Sequence, residues 1–249
     1  MNAYYNSIET FGAVDGPGIR LVIFLQGCFL RCKYCHNPET IAFTKEKQIS
    51  VNEVIKLYEK NKNFYESGGI TLSGGEPTAQ IEFCISLFKK CKELNINTCL
   101  DTAFSTFHNI DKVKEKWIEL LKYTDIVLAD IKHIDNKKHL DLTGKPNEEI
   151  LMAVKFLDEN GTKMWIRHVL VPGYTDDKED LIRLGQFIGT LKNMERFEIL
   201  PYHNMMIPKY RRLNMKFYLD GVIPPTKEYA SKCKDIVDSG MKSVLKIMN

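Results

Sequence analysis

The stretch GIRLVIFLQGCFLRCKYCH, residues 18–36, decides the fold and indicates the chemistry. Its first half, residues 18–26, has the core Ile-Arg-Leu-Val-Ile-Phe-Leu, which predicts a buried strand. Its second half begins with Gly27 and contains three cysteines within eight residues, namely Cys28, Cys32 and Cys35. Because a glycine after a strand indicates a loop, the cysteines are expected just beyond the carboxyl end of this strand.

Three clustered thiols indicate a metal site. Thiolates are soft ligands that suit iron–sulfur clusters and zinc. Three of them leave one iron of a cubane cluster open, whereas a structural zinc site needs a fourth ligand. His36 is adjacent and could be that ligand, so a non-catalytic zinc-binding module is an alternative. The other interpretation is that the three cysteines are buried apolar residues on one face of a helix. It is disfavoured, because Gly27 and the strand before it indicate a loop.

The remainder of the chain alternates β-rich runs with amphipathic helical stretches. Further strands are predicted at 70–73, 97–101, 125–131, 163–171 and 196–200, and helices at 51–65, 78–94, 110–121, 148–159, 178–191 and 227–237. Six β/α units build a parallel sheet that right-handed crossovers curl into a barrel. The sequence therefore predicts an α/β fold, a partial (β/α)6 barrel of parallel strands in one domain, residues 1–249. A doubly wound open sheet is the alternative, and in both architectures the site lies at the carboxyl ends of the strands.

Composition and charge exclude some classes of protein. The 249 residues include 35 basic and 32 acidic side chains, an excess too small to indicate a nucleic-acid partner. There is no apolar run of membrane-spanning length and no secretory signal, so a cytoplasmic location is expected. Seven cysteines do not indicate a disulfide framework. Cys84, Cys91 and Cys233 are predicted to pack as small hydrophobic residues, and Cys99 to share a strand face with Asp101.

Several polar residues follow predicted strands, where a site is expected. Gly74-Gly75-Glu76 could let a ligand approach the backbone closely, or could form an ordinary turn. Asp130 and Lys132 share one strand face, either as a structural ion pair or as a recognition element for a zwitterion. Other polar side chains near strand ends are Arg167, which could bind a carboxylate bidentately or face solvent, and Asp101, Thr102 and His203.

The C-x-x-x-C-x-x-C spacing, with Tyr34 before the last cysteine, resembles the signature of the radical S-adenosylmethionine (SAM) superfamily. Further matches are VDGPGIR (14–20), the GGE at 74–76, Asp130 with Lys132, WIR (165–167) and LPYH (200–203). Together they resemble the glycyl-radical-enzyme activases over nearly the whole chain. No cysteine lies between Pro38 and Val51, where many activases carry a cysteine-rich insert. That absence favours the activases of pyruvate formate-lyase.

The resemblance implies a cofactor for each group of residues. It implies that Cys28, Cys32 and Cys35 hold one [4Fe–4S] cluster. Residues implied to contact SAM are Tyr34, Gly74, Gly75, Glu76, Asp130, Lys132, Arg167 and His203. Asp101 and Thr102 are implied to bind a monovalent cation. The chain departs from the family at Pro77-Thr78 and at Ala103-Phe104, where an Asn-Gly pair is usual, so the geometry of the cation loop stays open.

The resemblance also implies the reaction and the partners. A reduced cluster cleaves SAM to methionine and a 5′-deoxyadenosyl radical, which removes a hydrogen atom from a glycine Cα of pyruvate formate-lyase. The protein would thus be an oxidoreductase with a protein substrate. It would take electrons from flavodoxin or ferredoxin and act as a monomer, with neither nucleic acid nor membrane as partner. Activation of another glycyl radical enzyme, and radical SAM chemistry on a small molecule or RNA, are the alternatives.

Overall fold

The computed structural model describes residues 1–248, and the side chains as far as residue 244. The strands are β1 (Asn2–Gly12), β2 (Arg20–Leu25), β3 (Gln48–Ser50), β4 (Gly69–Gly74), β5 (Asn97–Thr102), β6 (Ile126–Asp130), β7 (Met164–Leu170) and β8 (Met194–Pro201). The helices are α1 (Val51–Lys60), α2 (Ile81–Glu93), α3 (Ile110–Leu121), α4 (Asn136–Thr143), α5 (Glu148–Glu159), α6 (Lys178–Ile188), α7 (Ile207–Arg212) and α8 (Lys227–Met248). Of the helices in this described part, none is both long and apolar enough to cross a membrane.

The chain divides into two compact units. The first contains Met1–Phe29 and Glu39–Ala129, and the second contains Leu30–Pro38 and the chain from Asp130 onward. The boundary at Phe29 cuts through the cysteine loop, so Cys28 belongs to the first unit and Cys32 and Cys35 to the second. The single domain expected from the sequence stays a prediction.

The first unit is built on a mostly parallel sheet with strand order β3-β1-β2-β4-β5-β6. Strands β2, β4, β5 and β6 pair in parallel, and β1 runs antiparallel to both β2 and β3. The buried Arg20 guanidinium donates to Thr71 Oγ1 at 2.7 Å, Ile70 O at 3.0 Å and Asn97 Oδ1 at 2.9 Å. One side chain thus ties together the first residues of β2, β4 and β5.

The second unit contains the parallel pair β7 and β8 together with α4 to α8. Helices α6 and α8 pack closely because both carry glycine at the contact. A Cβ added to Gly185 would lie 2.1 Å from Val237 O. An apolar cluster fills another part of this unit, formed by Tyr34, Leu142, Val169, Val171, Tyr202, Met206, Tyr210 and Leu219.

The six strands predicted from the sequence are all present, as β2 and β4 to β8. The predicted helix 51–65 is wrong at its end, because Asn61 leaves the helical conformation at φ −126° and a 3-10 turn follows. The predicted helix 78–94 begins only at Ile81, after a 3-10 turn capped by Glu76. The last helix continues past Val237, since Gly240 lies within it at a close contact with α6. The sequence analysis missed β1, β3, α4 and α7.

Candidate active site

The predicted site residues fall into two sets, one in each unit. The first set begins where β2 leads into Gly27 and Cys28. Gly27 N donates to Thr40 O at 2.8 Å, and Cys28 N donates to Ile41 O at 3.1 Å. Gly27 has φ +99°, and a Cβ there would lie 2.4 Å from the Phe43 ring, so this position requires glycine. The backbone before the first cysteine is therefore fixed by local hydrogen bonds.

The GGE turn packs directly against this same backbone. Gly75 N donates to Leu25 O at 3.0 Å, and Glu76 N donates to Gly27 O at 2.8 Å. A Cβ on Gly75 would lie 2.4 Å from Gly27 O and 2.7 Å from Thr40 O. Gly74 has a backbone φ of +117°, which residues with a side chain rarely adopt. Both glycines are therefore required by the packing of the turn itself.

The Glu76 side chain is fully buried. Its Oε1 accepts hydrogen bonds from Thr78 N, Thr78 Oγ1 and Thr102 Oγ1, and its Oε2 accepts them from Ala103 N and from Ser105 N and Oγ. Burial raises the pKa of Glu76, and the hydrogen bonds oppose that rise. All acceptor positions of this carboxylate are thus used within the protein. Any ligand contact of the GGE turn must come from its backbone.

Asp101 and Thr102 lie at the end of β5, beside the GGE turn. Asp101 Oδ2 accepts a hydrogen bond from Ser73 Oγ at 2.7 Å. The Thr102 hydroxyl donates to Glu76 and accepts from Phe104 N at 2.9 Å. Phe104 has φ +57°, the left-handed conformation that glycine favours. The loop therefore has, at Phe104, a backbone conformation that the usual Asn-Gly pair would adopt readily.

The second set of predicted residues includes the rest of the cysteine loop, which is anchored on the end of α4. Arg31 N donates to Thr143 O at 2.7 Å and Lys33 N donates to Leu142 O at 3.0 Å. Within the loop, Cys35 N donates to Cys32 O at 3.1 Å. Burial raises the pKa of the Cys32 thiol to about 12, although the Lys132 charge opposes the rise. A metal would displace this proton.

Two polar atoms of this loop are buried without a hydrogen-bond partner among the described residues. They are Tyr34 Oη and His36 Nε2, on either side of Cys35. The Lys132 ammonium lies 5.9 Å from the centre of the Tyr34 ring. Burial, together with the nearby His203, lowers the pKa of His36 to about 4, so the ring is neutral at pH 7. Unpaired buried polar atoms are costly, and a bound ligand would relieve that cost.

Asp130 and Lys132 form an ion pair at 2.7 Å, and both side chains are largely buried. Burial opposes ionisation of Asp130, but the charges of Lys132 and Arg167 hold its pKa below the usual range. Burial likewise opposes the Lys132 charge, and Asp130 raises the lysine pKa well above its usual value. Arg167 Nε lies 3.9 Å from Glu198 Oε2. Two cations, Lys132 and Arg167, are thus each paired with a carboxylate, Asp130 or Glu198.

His203 follows β8, and its ring stacks on His36 with centroids 4.1 Å apart. The sequence analysis did not assign a role to Lys209 on α7. Its Nζ donates to His36 O at 3.0 Å and to Asn37 Oδ1 at 3.1 Å, which fastens α7 to the end of the cysteine loop. No sequence signal distinguished Lys209 from its basic neighbours. The analysis also missed the Thr78 and Ser105 contacts to Glu76, although Thr78 follows Glu76 at the spacing of a local side-chain turn.

Over residues 1–248, no three His, Cys, Asp or Glu side chains converge as ligands of a single metal ion. A [4Fe–4S] cluster does not require such convergence, because each cysteine binds a different iron. Cys28, Cys32 and Cys35 are all partly exposed, whereas Cys84, Cys91, Cys99 and Cys233 are buried. The chemistry of this donor set and the unpaired atoms around Cys35 fit a cluster with a further ligand.

Comparisons with known proteins agree with this chemistry. Residues 22–185 match the family model described as the radical SAM superfamily. The pyruvate formate-lyase-activating enzyme of Streptococcus mutans is 48% identical over 235 residues, covering 93% of this chain and 89% of the relative. The enzyme of the same name from Staphylococcus epidermidis is 46% identical over 231 residues, covering 92% of both chains.

A solved structure is also similar. It is a domain of the pyruvate-formate lyase-activating enzyme of Bacteroides vulgatus, with a TM-score of 0.57 and 26% identity, and the match covers 70% of this chain and 95% of that domain. The mixed α/β fold with a mostly parallel sheet is thereby confirmed. The chain belongs to the pyruvate formate-lyase-activating enzymes of the radical SAM superfamily.

Proposed function

We propose that this protein is an oxidoreductase that activates pyruvate formate-lyase by forming a radical on a glycine of that enzyme. The observation that carries the proposal is the cysteine loop at the end of β2, in a chain that is 48% identical to an enzyme named for this activity. Membership of the superfamily implies a [4Fe–4S] cluster and SAM. When bound, a reduced cluster and SAM supply a radical that can remove a hydrogen atom from a glycine Cα.

Cys28, Cys32 and Cys35 are the residues that would hold the cluster. Their partial exposure and the absence of a fourth cysteine in the loop support the role, because one iron would stay open for SAM. The backbone on both sides of the loop is fixed, by Thr40 and Ile41 before Cys28 and by α4 after it. Each end of the loop is therefore ordered within its own unit, which reduces the conformational entropy that would be lost there when a cluster binds.

The charged group near β6 and β7 suits the amino-acid end of SAM. Lys132 and Arg167 can pair with a carboxylate, and Asp130 can accept from an ammonium group. These side chains are largely buried, so an ion pair with a ligand would be weakly screened by solvent. Tyr34 and His36 present unpaired buried polar atoms, and His203 stacks on His36. We therefore propose Tyr34, Asp130, Lys132, Arg167 and His203 as SAM-contacting residues.

The GGE turn is proposed to contact SAM through the backbone of Gly74 and Gly75. Its glutamate is fully occupied by protein donors, which argues against the carboxylate contact that the family resemblance allowed. A monovalent cation at Asp101 and Thr102 also remains a proposal. Its support is the chemistry of the two side chains, because carboxylate and hydroxyl oxygens are hard ligands that suit such a cation. The Thr102 hydroxyl also donates to Glu76.

The partners follow from the chemistry. Pyruvate formate-lyase would be the protein substrate, and a flavodoxin or ferredoxin would supply the electron for each turnover. We keep a monomer in the cytoplasm as the expected state. The zinc-binding module considered at the outset is set aside, because the chain belongs to a superfamily that uses iron, sulfide and SAM.

The test is direct. The protein is reconstituted anaerobically with iron and sulfide, reduced, and mixed with SAM and pyruvate formate-lyase, and the electron paramagnetic resonance spectrum is recorded. A glycyl-type doublet is expected with the wild type and with Cys233→Ala, which alters a buried cysteine outside the loop. Cys28→Ala is expected to give none. Formation of 5′-deoxyadenosine without the doublet would contradict the proposed partner, and zinc in place of iron would contradict the chemistry.

A further inference from the structure

The GGE glutamate and the loop after β5 are joined by one hydrogen-bonded network in the first unit. Glu76 Oε1 accepts from the Thr78 hydroxyl and the Thr102 hydroxyl, both at 2.7 Å. Glu76 Oε2 accepts from Ala103 N at 3.2 Å and from Ser105 N at 3.1 Å. Donors therefore reach this carboxylate both from the turn after β4 and from the loop after β5.

The direction of each hydroxyl bond can be assigned. Thr78 Oγ1 lies 2.5 Å from Thr106 Oγ1, and either atom could be the donor in that contact. Because the single Thr78 proton is used on Glu76, the Thr106 hydroxyl must donate to Thr78. The Thr102 hydroxyl donates to Glu76 and accepts from Phe104 N. The chain of donors Thr106 to Thr78 to Glu76 has one consistent direction, which strengthens each bond in it.

Two residues of the network lie at or beside the positions where the chain departs from the family that it resembles. Thr78 stands in one departure, at Pro77-Thr78, and Ser105 directly follows the other, at Ala103-Phe104. Thr78 contacts the Glu76 carboxylate through its hydroxyl, and Ser105 contacts it through its backbone N–H at 3.1 Å and its hydroxyl at 3.4 Å. The carboxylate of Glu76 therefore bridges these two positions.

We infer that Thr78 sets the affinity for SAM through Glu76, whose hydrogen bonds hold Thr102 and the backbone of residues 103–105 in place against the GGE turn. The inference rests on the proposed function, since it assigns the GGE turn and the end of β5 to SAM binding. Asp101 is also held by Ser73 of β4, so both strand ends are tied together at two points.

The test compares Thr78→Val with Thr78→Ser. Valine has nearly the shape of threonine but no hydroxyl, and serine keeps the hydroxyl. Equilibrium dialysis with labelled SAM on the reconstituted protein is expected to show about a tenfold weaker affinity for Thr78→Val and at most about a twofold change for Thr78→Ser. The KM for SAM should rise in Thr78→Val as the affinity falls. Its kcat at saturating SAM and its iron content per chain should stay near the wild-type values.

The outcomes separate the roles clearly. If Thr78→Val loses thermal stability but keeps wild-type SAM affinity, the network is merely structural and the inference is overturned. If Thr78→Val does not fold, Ser105→Ala and Thr106→Val, at the outer ends of the network, take its place, with a smaller rise in KM of about threefold expected. Equal loss of affinity in Thr78→Ser would also contradict the inference, because its hydroxyl is retained. Failure of the wild type itself to bind SAM would instead refute the proposed function.

Discussion

Phe104 packs its ring against Trp117, with centroids 5.8 Å apart, while its own backbone is left-handed at φ +57°. Phe107 contacts the same indole edge-on at 5.5 Å. A left-handed conformation costs a bulky residue about 1–2 kcal/mol, so something must hold it there. The burial of the phenyl ring, which is 1% exposed, is worth more than that cost. An aromatic anchor thus maintains a loop conformation that glycine would adopt without strain.

Replacing Phe104 by glycine should therefore destabilise the protein, although glycine suits the backbone. The lost aromatic packing costs about 3–5 kcal/mol, and relief of strain returns about 1–2 kcal/mol. The free energy of unfolding, measured by urea denaturation, should fall by about 2–3 kcal/mol. Asn95→Gly is the matched control, because Asn95 is exposed and also left-handed at φ +55°, and it should be neutral or slightly stabilised. A Phe104→Gly protein as stable as the wild type would contradict this account.

The six parallel strands could be predicted because each is a short apolar run that ends at a recognisable polar or glycine signal. Strand β1 could not, since its residues alternate irregularly between buried and exposed and no turn signal pairs it with β2. Helix α4 was missed although it has clear ends: Asp135 accepts a hydrogen bond from Lys138 N, and Gly144 closes the helix at φ +76°. Its sequence is mostly polar, so it lacks the apolar residues at a 3.6-residue period that identify longer helices.

The sequence could indicate which residues belong to the site, but not which atoms each of them contacts. The sequence analysis grouped Asp130 with Lys132 on one strand face. Strand β6 ends at Asp130, so Lys132 lies beyond it, but the two side chains do form an ion pair. The full occupation of Glu76 by protein donors could not be foreseen, because only the Thr78 donors are local and the others come from the distant loop at 102–105. Lys209 was likewise inaccessible to sequence reasoning, since it contacts residues 36 and 37 across more than 170 positions.

Asp130→Asn should destabilise the protein and abolish SAM binding. The substitution leaves the Lys132 ammonium largely buried without its carboxylate, and removing one partner of such a pair costs about 3 kcal/mol or more. Its measurement is urea denaturation together with SAM binding by dialysis.

The double variant Asp130→Asn with Lys132→Met should regain much of the lost stability, because no unpaired charge remains buried. It should still fail to bind SAM. Glu93→Gln, which breaks an exposed pair with Lys90, serves as the control and should leave the stability nearly unchanged. If the double variant were as unstable as Asp130→Asn, the unpaired Lys132 charge would not be the cause.

Acidification should weaken the fold through His133. Burial lowers the pKa of this side chain from its usual 6.5 to about 4, and its Nδ1 accepts from Asp135 N at 2.9 Å. Between pH 6.5 and pH 4, His133 is therefore mostly protonated in the unfolded chain and mostly neutral in the folded chain. In that window the free energy of unfolding falls, by up to about 3 kcal/mol from this group alone, and above pH 6.5 the contribution is complete.

His133→Asn keeps an acceptor near the position of Nδ1 and removes the titrating ring. The decline in stability between pH 6.5 and 4, measured by urea denaturation at several pH values, should become shallower. It should not vanish, since burial also lowers the pKa values of His36, His139 and His168. His108→Asn, at an exposed position, is the matched control. An unaltered slope in His133→Asn would show that this ring does not titrate as described.

Gly75→Ala should damage the site through a direct clash. The added methyl group would lie 2.4 Å from Gly27 O and 2.7 Å from Thr40 O, and both are backbone atoms that cannot rotate away. The turn must then move from the backbone that leads to Cys28, at a cost of about 1–3 kcal/mol. Both SAM affinity and iron retention after reconstitution should fall. Gly161→Ala is the matched control: nothing lies within 4 Å of its added methyl group, and its φ of +70° predicts only a loss of stability of about 1 kcal/mol. If Gly75→Ala bound iron and SAM as the wild type does, close packing of the GGE turn against the cysteine loop would not be needed for the site.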